Sequence, residues 1–218
     1  MARTQREIIE EYFRRGDFTG WFEAIYQNAD GNPLAVPWAR MSPHPDLMAW
    51  LSRQQAVAGK TALVVGCGLG DDAEALSAHG YDVTAFDISA EAIRWCVQRF
   101  QDSRATYAAH DLFAMPAELR RRFDFVLESN TLQSLPWQLN ASAVEHIAGT
   151  VAAQGMLMVL CLGRDPHEAR RGIPWPQSRD ELDQFVQHGL QERSFEDLRD
   201  DGFRRFRAIY RAPDRDSG

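Results

Sequence analysis

The sequence predicts an α/β fold in which a mostly parallel sheet is covered by helices on both faces. Short apolar runs typical of buried strands alternate along the chain with segments of helical spacing, which is the pattern of β-α-β units. A glycine-rich turn at residues 66–70 follows the first of these strands and precedes a helix, as at the ligand-binding edge of such sheets. The 218 residues are enough for about one domain of this kind.

The segment ahead of the first strand is predicted to be helical and aromatic. Residues 3–15 place apolar side chains at helical spacing. Residues 16–45 are rich in Gly, Pro, Trp and Asn and predict an ordered loop region, and a short helix is predicted over residues 46–55. We therefore expect residues 1–58 to form an N-terminal helical and lid extension.

The rest of the chain is predicted to form the sheet and its helices. Six strands are predicted at Thr61–Val65, Tyr81–Phe86, Ala105–Ala109, Phe123–Leu127, Met156–Leu162 and Phe203–Tyr210. Four helices are predicted at Asp71–Ala78, from an N-cap at Ser89 to Phe100, at residues 141–153, and from Ser178 to Gln187. We expect residues 59–212 to be the sheet domain and the tail, residues 213–218, to be disordered.

Composition and charge argue against several classes of protein. The 24 basic and 31 acidic side chains give a net charge of -7, which disfavours nucleic acid, because phosphate contacts need clustered Lys and Arg. Cys67, Cys96 and Cys161 lack the spacing of a disulfide framework or a zinc site, so we expect no bound metal. The chain shows neither a long apolar run nor the apolar core of a signal peptide. A cytoplasmic protein without a membrane partner is therefore expected.

The glycine-rich turn and the next strand predict a ligand site. Gly66, Gly68 and Gly70 permit a tight turn and the close approach of a ligand. Asp87 falls at the end of the following strand, where a carboxylate can accept hydrogen bonds from both hydroxyls of a ribose. The ligand is therefore expected to contain adenosine.

Two acids at the start of the following helix help to distinguish between ligands that contain adenosine. Asp71 stands where a dinucleotide fingerprint places its third glycine, and Asp72 follows. Carboxylates there would repel a pyrophosphate but tolerate an ammonium and a sulfonium, which favours S-adenosylmethionine over NAD. The alternative is that both acids only stabilise the helix N-terminus.

Two further acids end predicted strands. Asp111 is positioned to accept from an adenine amino group, with the N–H of Leu112 facing a ring nitrogen, although Asp111 can instead cap the following turn. Glu128 ends the fourth strand and lies beside the glycine-rich turn if the first and fourth strands are neighbours. We expect its side chain or its backbone to meet the ammonium of the methionine moiety, with a structural role as the alternative.

Residues 60–163 resemble the class I S-adenosylmethionine-dependent methyltransferases. The segment ALVVGCGLGDDAEALSAHGYDVTAFDIS is similar to the first two motifs of that family, and FDFVLE at residues 123–128 is similar to its fourth-strand motif. Outside this core, the segments GWF at 20–22, PW at 37–38 and GIPWP at 172–176, followed by SRDEL at 178–182, resemble the thiopurine/thiol methyltransferase-like branch.

The resemblance implies a Rossmann-like fold with a seven-stranded sheet, S-adenosyl-L-methionine as methyl donor and S-adenosyl-L-homocysteine as product. It also implies an N-terminal lid in which Trp21 or Trp38 closes over the cofactor. It implies cofactor contacts at Gly66, Gly68, Gly70, Asp87, Ile88, Asp111 and Leu112.

The acceptor is expected to be a small molecule. Residues 129–136 lack the Asn/Asp-Pro-Pro-Tyr/Phe element with which amino-group methyltransferases of nucleic acids and proteins attack, and a thiol or other soft nucleophile needs no strong base. Trp175, His44 and Arg164 are the candidates for substrate contacts, and no catalytic base is assigned. The alternatives are an O-methyltransferase of a hydroxylated metabolite and a non-catalytic adenosyl-ligand binder. A monomer is expected.

Overall fold

A computed structural model describes residues 3–170, 172–200 and 202–214 of the chain. Within these residues seven strands form one sheet: β1 (Thr61–Val65), β2 (Asp82–Asp87), β3 (Thr106–Ala109), β4 (Phe123–Ser129), β5 (Val151–Leu162), β6 (Gln191–Asp200) and β7 (Phe203–Arg211). Their order across the sheet is β3-β2-β1-β4-β5-β7-β6. The first five strands run parallel, and β7 is antiparallel to both of its neighbours.

This topology confirms the Rossmann-like, seven-stranded, mostly parallel sheet. The strand order reverses between β1 and β4, which are neighbours although two strands separate them in the chain. In open α/β sheets the crevice at the carboxyl ends of the strands, at such a reversal, is where ligands bind. The glycine-rich turn follows β1 at this point.

Eight α-helices lie within the described residues: α1 (Gln5–Arg14), α2 (Trp21–Ala29), α3 (Pro45–Leu51), α4 (Asp71–Ala78), α5 (Ala90–Arg99), α6 (Asn140–Ala148), α7 (Arg179–Leu182) and α8 (Gln184–Gln187). Apolar side chains of α3, α4 and α5 pack with Ala62 and Val64 on one face of the sheet. Those of α6, α7 and α8 pack with Leu63 and Val65 on the other. Successive residues of β1 thus point to opposite faces, and the prediction of helices on both faces is confirmed.

Two predicted helix caps are present. The Ser89 hydroxyl accepts a hydrogen bond from the N–H of Ala92 at 3.0 Å, so α5 begins where the sequence predicts. Ser178 accepts from the N–H of Glu181, and the Glu181 carboxylate accepts from the N–H of Ser178 at 2.6 Å, which forms a capping box. The helix predicted to run from Ser178 to Gln187 is divided into α7 and α8, with Asp183 between them.

Three predicted segments are corrected by the structure. Residues 16–45 are not a loop region throughout, because α2 lies within them and buries Trp21 and Ile25 against α1. The helix predicted over 141–153 ends at Ala148, because Val151 already pairs with Phe123 as part of β5. β5 therefore begins five residues before the predicted start.

Strand β6 has no counterpart among the six strands predicted individually. It reads QERSFEDLRD, in which charged residues obscure the alternation, and it pairs with β7 at the edge of the sheet. Of the predicted disordered tail, residues 215–218 lie outside the described residues. None of the helices in the described residues is both long and apolar enough for a transmembrane segment.

Candidate functional site

The glycine-rich turn leads from β1 to α4 at the carboxyl edge of the sheet. All three of its glycines have positive φ, at 60° for Gly66, 53° for Gly68 and 87° for Gly70. A Cβ on Gly66 would lie 2.4 Å from the Thr131 hydroxyl oxygen, so the turn that follows β4 excludes any side chain at this position. Conformation and close packing both require glycine here.

Asp87 ends β2 beside this turn. One carboxylate oxygen accepts from the N–H of Gly68 at 2.9 Å, and the other accepts from the N–H of Ser89 at 2.9 Å. Burial raises the pKa of the Asp87 carboxyl to about 6, against the lowering effect of these donors. The side chain nevertheless retains 8% of its exposure. Since a carboxylate offers about four acceptor positions, it retains capacity for the ribose hydroxyls of an adenosyl ligand.

The end of β3 lies next to Asp87. The N–H of His110 donates to the carbonyl of Asp87 at 3.0 Å, which brings the segment after β3 to the same edge. The exposed Asp111 caps a short 3₁₀ helix by accepting from the N–H of Phe113 at 2.9 Å, and Leu112 is buried. The structure thus brings four predicted site residues to the same part of the carboxyl edge of the sheet: Asp87, Ile88, Asp111 and Leu112. Asp111 also caps the short helix, which was the alternative role considered for it.

Asp71 and Asp72 do not face the ligand crevice as a pair of free carboxylates. Both oxygens of Asp71 pair with the Arg99 guanidinium, at 2.8 and 2.9 Å. Asp72 accepts from the N–H of His44 at 2.6 Å, and burial raises its pKa. The electrostatic argument that used these acids to choose the cofactor is therefore wrong, because Asp71 is neutralised by Arg99 and Asp72 anchors the N-terminal segment.

Glu128 is fully buried at the end of β4. One of its carboxylate oxygens accepts from the N–H groups of Thr131 and Leu132, at 2.7 and 2.9 Å. Its other oxygen is buried and has no hydrogen-bond partner among the described residues. Burial raises the pKa of Glu128 to about 7. β1 and β4 are neighbours, as the sequence argument required, but the carboxylate binds the backbone of its own turn.

The N-terminal helices form an aromatic cover. Trp21 is almost fully buried, and its ring stacks on Phe22 with a centroid distance of 3.8 Å. Trp38 is 39% exposed and donates from its indole nitrogen to the Tyr26 hydroxyl at 2.7 Å. That hydroxyl lies 3.4 Å from the position of a Cβ on Gly68, so Tyr26 is the cover residue that reaches the glycine-rich turn.

A carboxylate of α2 fixes this cover to α5. Glu23 accepts from the Ser89 hydroxyl at 2.5 Å and from the N–H of Glu91 at 3.1 Å. The contact lies two residues beyond Asp87 in the chain. The sequence analysis did not identify Glu23 or Tyr26 as site residues. Their spacing of three residues, which places two side chains on one face of a helix, is the signal in the sequence that indicates them.

The three candidate substrate residues have different surroundings in the structure. Trp175 joins the cover, since its ring centroid lies 6.0 Å from that of Phe13. His44 is buried at the N-cap of α3, where its Nδ1 accepts from the N–H of Asp46 at 3.1 Å. Desolvation, assisted by Arg40, lowers the pKa of His44 to about 4.

Arg164 has a structural position. It is 6% exposed, and its guanidinium donates to the Glu181 carboxylate at 2.9 Å. The same guanidinium donates to the carbonyl oxygens of Asp165, Pro166, Glu168 and Pro176. The side chain therefore holds the segment after β5 together, and these contacts occupy donors that a substrate contact would need.

Comparisons with known proteins agree with this fold. Residues 62–155, somewhat less than half of the chain, match the family model of a methyltransferase domain. A ubiquinone biosynthesis O-methyltransferase from Azotobacter vinelandii is 29% identical over 126 residues, which cover 56% of this chain and 53% of that protein. The match thus spans about half the length of this curated relative.

Solved structures share the fold. A protein from a study of the conversion of a disulfide bond into a thioacetal group during echinomycin biosynthesis is 19% identical, with a TM-score of 0.73 and coverage of 92% and 93% of the two chains. The N-methyltransferase NodS from Bradyrhizobium japonicum, solved with S-adenosyl-L-homocysteine, is 20% identical, with a TM-score of 0.69 over 87% of this chain and 99% of that one. The family model thus relates residues 62–155 to a methyltransferase domain, and the solved structures, at 19% and 20% identity, show a shared fold.

Proposed function

We propose that the chain is an S-adenosylmethionine-dependent methyltransferase that acts on a small molecule, with a thiol or another soft nucleophile as acceptor. One observation carries the cofactor assignment. Asp87 lies at the end of β2, bonded to the N–H groups of Gly68 and Ser89, where a carboxylate can receive the hydroxyls of a ribose. The methyltransferase-domain match over residues 62–155 and a structural relative solved with S-adenosyl-L-homocysteine support it.

The roles proposed for individual residues follow from their places at the carboxyl edge. The glycine-rich turn brings bare backbone against the cofactor, and Asp87 binds its ribose. Ile88, Asp111 and Leu112 adjoin the adenine, and the aromatic cover with Trp38 keeps water from the methionine moiety. When bound, S-adenosylmethionine supplies a methyl group on a sulfonium, which an acceptor removes by in-line displacement.

The acceptor class is argued from the character of the cover. The rings of Phe13 and Trp175 lie 6.0 Å apart and Phe22 stacks on Trp21, so the cover would offer an acceptor apolar walls, which suits a small apolar substrate. His44, the histidine among the candidate substrate residues, is held neutral by a pKa of about 4 and uses its Nδ1 to cap α3. It is therefore a weak base at neutral pH, and an acceptor that needs no strong base is favoured. The proposal places the chain in the thiopurine/thiol methyltransferase-like branch.

A hydroxylated metabolite is the second candidate acceptor. It is favoured by the name of the curated relative, an O-methyltransferase of ubiquinone biosynthesis. A hydroxyl must lose a proton on methylation, so this reaction would need a base that a soft nucleophile does not require.

The test has a binding step and a turnover step. Calorimetry with S-adenosyl-L-homocysteine should detect binding to the wild-type protein. Asp87→Ala should weaken it by about 1–3 kcal/mol, since charged hydrogen bonds to the ribose are lost. Asp82→Ala is the matched control, because Asp82 is an exposed residue at the opposite end of the same strand.

Turnover is then measured as release of S-adenosyl-L-homocysteine with a panel of aliphatic thiols, aromatic thiols and phenols. Methylation of thiols above phenols is expected. Preference for phenols would replace the soft acceptor by the hydroxylated one, and binding without turnover on any acceptor would favour a non-catalytic adenosyl-ligand binder. No binding by the folded wild type would refute the cofactor assignment itself.

A further inference from the structure

The turn after β4 is built around Glu128. The N–H groups of Thr131 and Leu132 point back to a single carboxylate oxygen, at 2.7 and 2.9 Å. Between them and the strand, Asn130 adopts a left-handed conformation with φ of 65°. A non-glycine residue keeps this conformation at some cost, so the surrounding contacts must hold it.

The turn is anchored at both ends as well. The N–H of Asn130 donates to the carbonyl of Leu160 in β5 at 2.8 Å, and the carbonyl of Asn130 accepts from the Ser134 hydroxyl at 2.9 Å. Glu128 supplies the acceptor for the N–H groups of Thr131 and Leu132 inside the turn. The side chain of Glu128 is 0% exposed, so bulk water does not take the place of its carboxylate as the acceptor for the N–H groups of Thr131 and Leu132.

The turn reaches the cofactor site through Thr131. The Thr131 hydroxyl donates to the carbonyl of Val65, the last residue of β1, at 3.0 Å. The same oxygen lies 2.4 Å from where a Cβ on Gly66 would stand. Thr131, whose backbone is held by Glu128, therefore packs closely against the first glycine of the turn and bonds to the residue before it.

We infer that Glu128 is a positioning residue for the cofactor site, which acts through the Thr131 turn against Gly66 rather than by contact with the cofactor. This inference rests on the proposed function. It separates the two carboxylates at this edge: Asp87 binds the ligand, whereas Glu128 shapes the backbone that the ligand approaches.

Two substitutions at Glu128 distinguish these roles. Glu128→Gln keeps an oxygen that can accept from both N–H groups and changes only the oxygen that has no partner among the described residues. Glu128→Leu removes both acceptors at similar volume. We expect Glu128→Leu to weaken the binding of S-adenosyl-L-homocysteine by about tenfold or more and Glu128→Gln by less than about threefold, because only the former removes the acceptor of the Thr131 and Leu132 N–H groups.

Amide hydrogen exchange supplies a readout that does not depend on the ligand. The amides of Thr131 and Leu132 should exchange faster by about tenfold or more in Glu128→Leu, and near the wild-type rate in Glu128→Gln. The matched control is Asp124→Ala, at the other end of the same strand, where the carboxylate accepts from the N–H of Thr61 at 2.8 Å. It should lower thermal stability and leave the dissociation constant of S-adenosyl-L-homocysteine unchanged.

The outcomes separate the possibilities. Wild-type affinity in a folded Glu128→Leu protein overturns the inference, and so does a loss in Glu128→Gln as large as that in Glu128→Leu, because the second oxygen would then contact the ligand. If Glu128→Leu does not fold, Thr131→Ala replaces it in the test. We expect Thr131→Ala to weaken the binding of S-adenosyl-L-homocysteine by about threefold or more, and an unchanged dissociation constant would refute the inference. If the wild type binds no S-adenosyl-L-homocysteine, the proposed function fails, and the exchange rates still test the hold of Glu128 on the turn.

Discussion

The contact between Glu23 and the N-terminus of α5 is expected to contribute measurably to stability. The carboxylate of Glu23 accepts from the Ser89 hydroxyl at 2.5 Å and from the N–H of Glu91 at 3.1 Å. Ser89 in turn accepts from the N–H of Ala92, so the two residues together satisfy two donors of the first helical turn. Glu23→Ala removes one acceptor and a negative charge from a helix N-terminus.

The size of the effect follows from these contacts. A hydrogen bond to a charged group contributes about 1.5–3 kcal/mol when its partner is buried, and a charge at a helix terminus about 0.3–1 kcal/mol. Glu23 is half-buried, so water partly replaces it in the variant. We expect Glu23→Ala to lower the free energy of unfolding by about 2 kcal/mol, which is roughly 4–8 °C in Tm for a chain of this size.

Urea unfolding of the wild type, Glu23→Ala and Glu23→Gln measures this difference. Glu23→Gln keeps an acceptor without the charge and should fall between the other two. Glu10→Ala, which removes an exposed i,i+4 partner of Arg6 on α1, is the control and should leave the midpoint unchanged. A loss below about 0.5 kcal/mol in Glu23→Ala would show that α2 is held by its apolar face alone.

Two further predictions concern pH. Since burial raises the pKa of Asp87 to about 6, binding of S-adenosyl-L-homocysteine should weaken as pH falls through 6, because the protonated carboxyl loses its charge. Calorimetry of Asp87→Asn should give weak binding with a flat pH profile, and a wild-type profile that is equally flat would contradict the role of Asp87. His44 has a folded-state pKa lowered to about 4, so the unfolded chain takes up a proton below about 6.5 that the folded state does not accept. Its contribution to stability is therefore lost as pH falls from about 6.5 to 4, and urea midpoints of His44→Asn, which keeps a capping oxygen, should decline less over that range than those of the wild type.

The elements that the sequence predicts well are those specified by local chemistry. β1, the glycine-rich turn and α4 follow from an apolar run, three glycines and two acids within a dozen residues. The caps at Ser89 and Ser178 follow from a hydroxyl that precedes a helical pattern. The position of Asp87 at the end of a strand is predicted for a related reason, because it follows from the number of residues after the glycine-rich turn.

The elements that the sequence does not predict depend on distant partners. α2 contains Trp and lies between glycines, and it becomes helical where Trp21 and Ile25 are buried against α1. The pairing of Asp71 with Arg99 joins residues 28 positions apart, so the sequence offers no reason to count that carboxylate as neutralised. The same holds for Arg164, whose donors are taken by Glu181 and four carbonyl groups.

The outermost strand has a consequence for how copies of the chain meet at high concentration. Among the described residues, β6 ends the sheet and pairs on one side, so its other side presents N–H and C=O groups that a second chain can extend. Acidic and basic side chains recur along its ten residues, and bringing two such ribbons together would force hydrated ions into contact. If apolar residues replaced these charges, the open edge of β6 would become a template for intermolecular association.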